Sequence, residues 1–408
     1  MRKTICILIA ALALQSCLNL KTADPYSESL NRLTVVPLYP SSFPADGKDK
    51  VSVSVTERNR GYGYSAAAAR DGSASIELPD GSYRVSLNYN ENGVAFNGTV
   101  DKVILSGEDR TINIQVSDSR AGRIVFKEIY CGGCTKYPEQ GNYAFDSYVI
   151  LHNNTSETQY LDSLCLGTLD PYRSGATNVW VSTDPETGET VFPEFLPIVQ
   201  AIWQIGGDGK TFPLEPGGDA VIVIYGAIDH ASRYPQSVNL NQPDYFVCYN
   251  TTYFPNTSYH PAPGNRIRQD HILNVVIKTG VANAYVFAQQ SPAAVIFKAP
   301  AGTDIHAFVS DPSNIVQKPG SGNDRIVKLP PEWVIDGVEV FEKGAANKKR
   351  LVPAIDAGAV EFSGPYNGHT LFRNADEELS RSAGYEILVD TNNSTNDFYE
   401  REKQSLHE

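Results

Sequence analysis

The residues best equipped for chemistry in this sequence are Cys131 and Cys134, two sulfurs spaced CGGC directly after Tyr130. That spacing serves a redox dithiol, half of a metal site, or a tight turn with two packed or bridged sulfurs. A redox dithiol sets its first cysteine at a helix N-terminus, where the dipole stabilises the thiolate. Here TKYPEQGNY follows, with Pro138, Gly141 and no helical period. A zinc ribbon needs a second CxxC, whereas Cys165 and Cys248 stand singly. The stretch therefore reads as a turn. Outside the cytoplasm its thiols can pair, so Cys131, Cys134 and Cys165 are the candidates for a disulfide or a metal. Cys131 and Cys165 are expected on neighbouring strands, which favours a bridge between them.

Other motifs are weaker. QIGGDGKT, 204–211, ends like a phosphate-binding loop, but Gln204 stands where that loop has its leading glycine. DTNNSTND offers Asp390, Asn392, Ser394 and Asp397 in the order that opens a calcium loop. It lacks glycine at the sixth position and has Arg401 at the twelfth, where glutamate is needed, so an Asx-rich turn is expected. The histidines (His152, His230, His260, His271, His306, His369, His407) show no HxH or HxxxH spacing, and no G-x-S-x-G elbow exists. No catalytic residue and no cofactor are assigned, and a metal is left open. Tyrosines cluster at Tyr245, Tyr249, Tyr253 and Tyr259. Phenol rings give large contact area at low entropy cost, which makes these four candidate ligand contacts. The alternative is half-exposed strand positions, which β-proteins fill with tyrosine.

Charge narrows the partners. The chain holds 34 basic and 47 acidic residues, net −13, which argues against nucleic acid and anionic lipid surfaces. Its first sixteen residues, MRKTICILIAALALQS, place Arg2 and Lys3 before an apolar run ending at Leu14. That is a secretory signal pattern, shorter than the ~20 apolar residues of a membrane span. Leu14-Gln15-Ser16-Cys17 resembles the lipobox of bacterial lipoproteins, with Gln15 departing from the usual small residue. The resemblance implies a signal peptide over 1–16, lipidation of Cys17, and a polar tether over 17–30. It also implies an outer-membrane location, on the periplasmic face or the cell surface.

These residues need a scaffold. From Leu33 the hydrophobic pattern has period two, in LTVVPL and VSVSVTE. DGSASIELPDGSYRVSLNY follows, with turn dipeptides Asp71-Gly72 and Asp80-Gly81, then GTVDKVILSG and RTINIQVS. Residues 31–118 resemble a carboxypeptidase-regulatory-like (transthyretin-like) β-sandwich. SDSRAG, 117–122, reads as a polar break. Beyond it, DSYVILHNNTSETQYLDSLCLG and FPLEPGGDAVIVIYG resemble a lamin-tail-like sandwich over 122–408, with Leu151 where that pattern often has glutamate. Long loops are expected over 171–211 and 228–292, and one helix over 192–206. The fold class is therefore all-β, as tandem sandwiches of which the second is larger.

With the DTNNSTNDF ending, the whole resembles a family of Bacteroidetes lipoproteins of unknown function, and that resemblance implies no activity. The expectation is a binding or accessory module at the outer membrane, serving a TonB-dependent transporter barrel, with an unidentified small-molecule ligand. An extracellular hydrolase and an adhesive or structural surface protein are the alternatives.

Overall fold

The computed structural model describes residues 30–407 apart from 60, 92–93, 121 and 186–189. The signal peptide, Cys17 and nearly all of the tether lie outside the described residues. Among those described, no helix is long and apolar enough to cross a membrane, which says nothing of strands.

Alternation builds the first unit. Leu33 and Val35 on strand Leu30–Leu38, and Val53 and Val55 on Ser52–Glu57, point to one side, as period two requires. Strands Ala74–Pro79, Leu30–Leu38 and Arg110–Gln115 form a three-stranded sheet. Strands Gly63–Ala67, Ser52–Glu57, Gly81–Glu91, Val94–Leu105 and Ser117–Arg120 form a five-stranded one. The two close on one core that includes Tyr83, Val85, Leu87, Phe96 and Ile114. The break read at 117–122 begins with a strand, because residues 117–120 pair with Val94–Asn97 through the backbone, which no polar side chain prevents.

The second unit is thicker. A six-stranded sheet runs in the order Phe246–Val247, Asp219–Val223, Tyr148–Asn153, Ile124–Tyr130, Thr370–Arg373 and Phe398–Arg401. It faces an eight-stranded sheet whose centre is Leu196–Gln204, Cys165–Leu169, Ala293–Phe297 and Val334–Glu342. Phe126, Val149, Leu166, Trp203, Ile222, Ile296 and Val338 fill the space between them. Both outer faces are covered as well. Cys165, Ile198, Ile202, Val295 and Phe297 pack with the helix Ile305–Ser310 on one side. Tyr130, Tyr148, Ile150 and Val223 pack with Val238 and Leu240 on the other.

Double burial corrects two expectations. The segment 192–206 is not a helix: Leu196–Gln204 is a strand paired on both edges, with Cys165–Leu169 on one side and Asn274–Lys278 and Arg325–Leu329 on the other. A strand apolar on both faces loses the period-two signal and imitates a buried helix. Nor do Cys131 and Cys165 sit on neighbouring strands. Cys131 follows Ile124–Tyr130 in the six-stranded sheet, and Cys165 opens a strand of the eight-stranded sheet. Their side chains join different cores.

Candidate functional site

Each motif with a chemical look proves to be occupied by the chain itself. The CGGC stretch is a turn held by backbone contacts. Gly133 has φ +72°, and a Cβ there would strike the Tyr143 carbonyl; a Cβ on Gly132 would press on the Phe362 ring. The Gly132 and Gly133 carbonyls accept from the N–H groups of Tyr366 and Gly368 at 2.9 and 3.0 Å. Cys131, Cys134, Cys165 and Cys248 are buried, unbridged thiols. Burial pushes the thiols of Cys131, Cys134 and Cys165 up to about 12, the reverse of thiolate activation. Cys134 lies beside buried Asp146, whose Oδ2 accepts from Tyr130 at 3.1 Å and Ser237 at 2.5 Å. Burial raises the Asp146 carboxyl to about 6, against the pull of these hydroxyls.

The glycine-rich turn at 204–211 does cradle an anion. The N–H groups of Gly209 and Thr211 donate to Asp162 Oδ1 at 3.0 and 2.9 Å, and that of Phe212 to Oδ2 at 3.0 Å. Burial alone would raise the Asp162 carboxyl, but these donors hold it below its ordinary range. The anion is the chain's own.

The calcium-like segment behaves in the same way. Asp390 and Asp397 surround a cation, and the cation is Arg373. Its Nη1 lies 3.1 Å from Asp390 Oδ1 and 3.5 Å from Asp397 Oδ2, while Nη2 lies 2.7 Å from Asp336 Oδ2. Its Nε donates to the Phe126 carbonyl at 2.7 Å, and its guanidinium carbon lies 4.6 Å from the Phe398 ring centre. Asn393 caps the short helix Ser394–Asp397 by accepting from Thr395 N–H. Ser394 turns instead to Asp356, to whose Oδ2 its Oγ donates at 2.6 Å.

One metal-like group of His, Asp and Glu occurs among the described residues: His152, Asp219 and Glu386. His152 Nδ1 is 2.6 Å from Asp219 Oδ1, and the Lys127 ammonium sits between the carboxylates, 2.7 Å from Asp219 and 2.5 Å from Glu386. Burial pushes the Asp219 carboxyl up, and the hydrogen bonds from His152 and Lys127 outweigh it, leaving the group lowered. A lysine already supplies the positive charge a metal would bring.

Three clefts stay open, and one of them has no Asp, Glu, Lys or Arg in its lining. A cleft of about 650 Å³ is lined by Tyr249, Thr251, Thr252, Gln269, Asn274 and His306, over a floor that includes buried Leu273. Two others, of about 570 and 520 Å³, are lined by charged side chains: Arg58, Lys102 and Glu361 in the first, Lys278 and Arg325 in the second. Of the four candidate tyrosines, Tyr249 lines the 650 Å³ cleft. Tyr245 and Tyr249 are half-buried against the outer core of the six-stranded sheet, while Tyr253 and Tyr259 are 42% and 55% exposed. Tyr253 stands on the same turn as Thr251 and Thr252: Asn250 Oδ1 accepts from the N–H groups of Thr252 and Tyr253 at 2.9 and 3.0 Å. Beneath the loop, His260 Nε2 accepts from Asn250 N–H at 3.0 Å, and its ring stacks on Tyr249 at 4.9 Å. Burial lowers His260 to about 4, keeping the imidazole neutral and able to accept. The tyrosine spacing pointed to this loop. Gln269, Asn274 and His306 carried no local signal, since the fold brings the segment 269–275 and His306 to this loop from further along the chain.

The fold defines an all-β protein, and a family model matches its C-terminal half. Residues 215–405 match the profile of DUF4876, a family described as protein of unknown function, and the cleft and the Arg373 cage both fall inside the match. A DUF4876 family protein from Bacteroides thetaiotaomicron VPI-5482 shares the fold, with TM-score 0.55 at 24% identity, covering 90% of this chain and 94% of that one. A DUF3823 family protein from Parabacteroides merdae ATCC 43184 aligns over 44% of this chain and 82% of its own, at 15% identity and TM-score 0.17, too little overlap to carry weight. No curated protein matches the chain.

Proposed function

We propose that this chain is a lipid-anchored binding or accessory protein of the outer membrane, which reads its ligand through the cleft beside Tyr249 and serves a TonB-dependent transporter barrel. The observation that carries the reading is the cleft beside Tyr249, the one of the three with no Asp, Glu, Lys or Arg in its lining. Asp162, Arg373 and Lys127 fill the motif-like clusters from within, while an amide- and hydroxyl-lined cleft stays open on the larger unit. A concave surface with a few polar groups around an apolar floor is what ligand sites share. An enzyme gains less support: the buried carboxyls and imidazoles whose proton affinity is displaced, Asp146, Asp336, Asp356, Asp397, His230 and His260, line none of the three clefts. The anchor rests on Leu14-Gln15-Ser16-Cys17. In this reading residues 31–118 are a transthyretin-like spacer and 122–408 a lamin-tail-like reader.

The test is made in cells. Cys17→Ser should abolish acyl labelling and release the protein from the membrane fraction. The unaltered chain, solubilised in mild detergent, should bring down a membrane β-barrel. Retention and acyl labelling of the Cys17→Ser variant, or recovery of the chain with no barrel, overturns the corresponding half of the reading.

A further inference from the structure

The cleft's neighbourhood has a composition that bears on its ligand. Between Asp244 and Arg266, residues 245–265 contain no Asp, Glu, Lys or Arg. At the chain's 20% charged content, a stretch of that length would carry about four. The same segment contains a short duplication, NTTYF at 250–254 and NTSYH at 256–260. Structure follows the repeat. Asn250 Oδ1 accepts from Thr252 N–H, and Asn256 Oδ1 from Ser258 N–H at 3.1 Å. The N–H of Phe254 reaches the Asn250 carbonyl at 3.0 Å, and that of His260 reaches the Asn256 carbonyl at 2.8 Å. Each copy turns its last aromatic inward and shows its tyrosine. Phe254 and His260 are 0% and 2% exposed, and Phe254 stacks on core Trp203 with ring centres 5.8 Å apart.

We infer that this duplicated turn and the cleft beside it form a recognition surface for a neutral oligosaccharide. Sugar rings offer apolar C–H faces, which stack on phenol rings, and hydroxyls, which both donate and accept. Thr251, Thr252, Gln269 and Asn274 provide matching groups that also do both. Tyr253 and Tyr259 provide the faces, held on turns that are already ordered, so little entropy remains to be lost on binding. An anionic ligand would call for Lys or Arg, and a cationic one for Asp or Glu; the segment has neither. The inference rests on the binding reading above and adds the class of ligand.

The experiment is native electrophoresis of the full chain through gels containing dissolved mannan, xylan, mixed-linkage glucan or starch, with polygalacturonate as the acidic comparison. Retardation is expected with at least one neutral polymer and not with polygalacturonate. It should persist at about 1 M salt, where the screening length is about 3 Å. The Tyr253→Ala/Tyr259→Ala variant should bind roughly tenfold more weakly or worse, the scale of losing an aromatic anchor. The matching double change to Phe should keep most of the binding, because the ring faces remain. Both tyrosines are exposed, so the variants should melt with the parent, which calorimetry checks. Retardation by polygalacturonate alone, by no polymer, or equally for parent and double-Ala variant overturns the inference. If no polymer binds but the barrel is still recovered in detergent, the ligand class falls and the accessory role stands. A barrel interaction lost in the double-Ala variant would instead assign the tyrosines to a protein partner.

Discussion

Arg373 Nη2 donates to Asp336 Oδ2 at 2.7 Å, and the pair spans the two sheets of the larger unit. Arg373 ends the strand Thr370–Arg373 of the six-stranded sheet, and Asp336 lies within Val334–Glu342 of the eight-stranded one. Both also grip the backbone of Phe126, Asp336 accepting its N–H at 2.7 Å and Arg373 donating to its carbonyl. One guanidinium thus serves three buried carboxyls, Asp336, Asp390 and Asp397. Burial, with repulsion from Asp390, pushes Asp336 and Asp397 upward against the pull of Arg373, since a single cation cannot balance three anions.

Removing that cation should be costly. We predict that Arg373→Met destabilises the protein by about 3–5 kcal/mol, the usual scale for leaving a buried charge without its partner. Adding Asp336→Asn should recover part of the loss, because one of the stranded carboxylates disappears. Urea denaturation of the two variants checks this. A loss below about 1 kcal/mol, in the range of an exposed ion pair, would show that the cage is not the clamp described.

Asp146 gives a prediction in pH. Its folded-state value, about 6, lies above the ordinary value of 3.8 because the carboxyl is buried. Between those values the folded state holds a proton that the unfolded state has lost. The stabilisation is therefore complete below about pH 4 and disappears as pH rises through 6. His230 and His260 work in the opposite sense: lowered to about 4 by burial, they contribute above 6.5 and lose that contribution as pH falls through 4. Comparing parent with Asp146→Asn cancels the histidines. From pH 4 to 7 the parent should lose stability relative to the variant, on the order of 2–3 kcal/mol. A stability difference that stays flat over that interval would contradict the assignment.

The thiols should be inert while the protein is folded. Burial raises Cys131, Cys134 and Cys165 to about 12, so little thiolate exists near neutrality. Alkylation by iodoacetamide, mapped by peptide mass, should reach these sites at less than roughly a tenth of the rate seen in urea. Insulin reduction should stay at background. Rapid labelling of native Cys134 would mean that the CGGC turn opens far more readily than its backbone contacts suggest.

Legibility differed between the units for a physical reason. In the first, each sheet turns one face to the core, so Leu33–Val35, Val51–Val53–Val55 and Tyr83–Val85–Leu87 alternate visibly. In the second, both faces of each sheet are buried, and Leu196–Gln204 carries apolar residues on both sides, which hid the strand. The Asp- and Asn-rich segment 390–397 was visible, but its cation was not. Arg373 lies 17 and 24 residues upstream of Asp390 and Asp397, a spacing that no local motif encodes. The tyrosine cluster was visible too, whereas which rings face outward follows from the six-residue offset between Asn250 and Asn256.

The final prediction concerns the join between the units. Their apolar cores are separate clusters, and what links them is mainly polar. Arg84 donates to the Ala359 carbonyl at 3.4 Å, and its guanidinium lies 3.8 Å from Glu361. Asn97 Nδ2 donates to the Thr391 carbonyl, and Gly122 N–H to Asp390 Oδ2 at 2.5 Å. Asp390 therefore ties the start of the second unit to the Arg373 cage. A fragment beginning at Gly122 keeps that tie and both large sheets. Among the described residues it loses the contacts from Arg84, to Ala359, Glu361 and the Phe341 ring, and from Asn97 to Thr391; the freed carbonyls can then take hydrogen bonds from water. We predict that residues 122–408 fold alone with a single cooperative transition, about 1–3 kcal/mol less stable than the same unit in the full chain. They should keep whatever ligand the full chain binds, since the cleft and both exposed tyrosines lie within them. Calorimetry and gel retardation on the fragment check both parts. An insoluble fragment, or binding that stays instead with residues 31–118, would reverse the roles of spacer and reader.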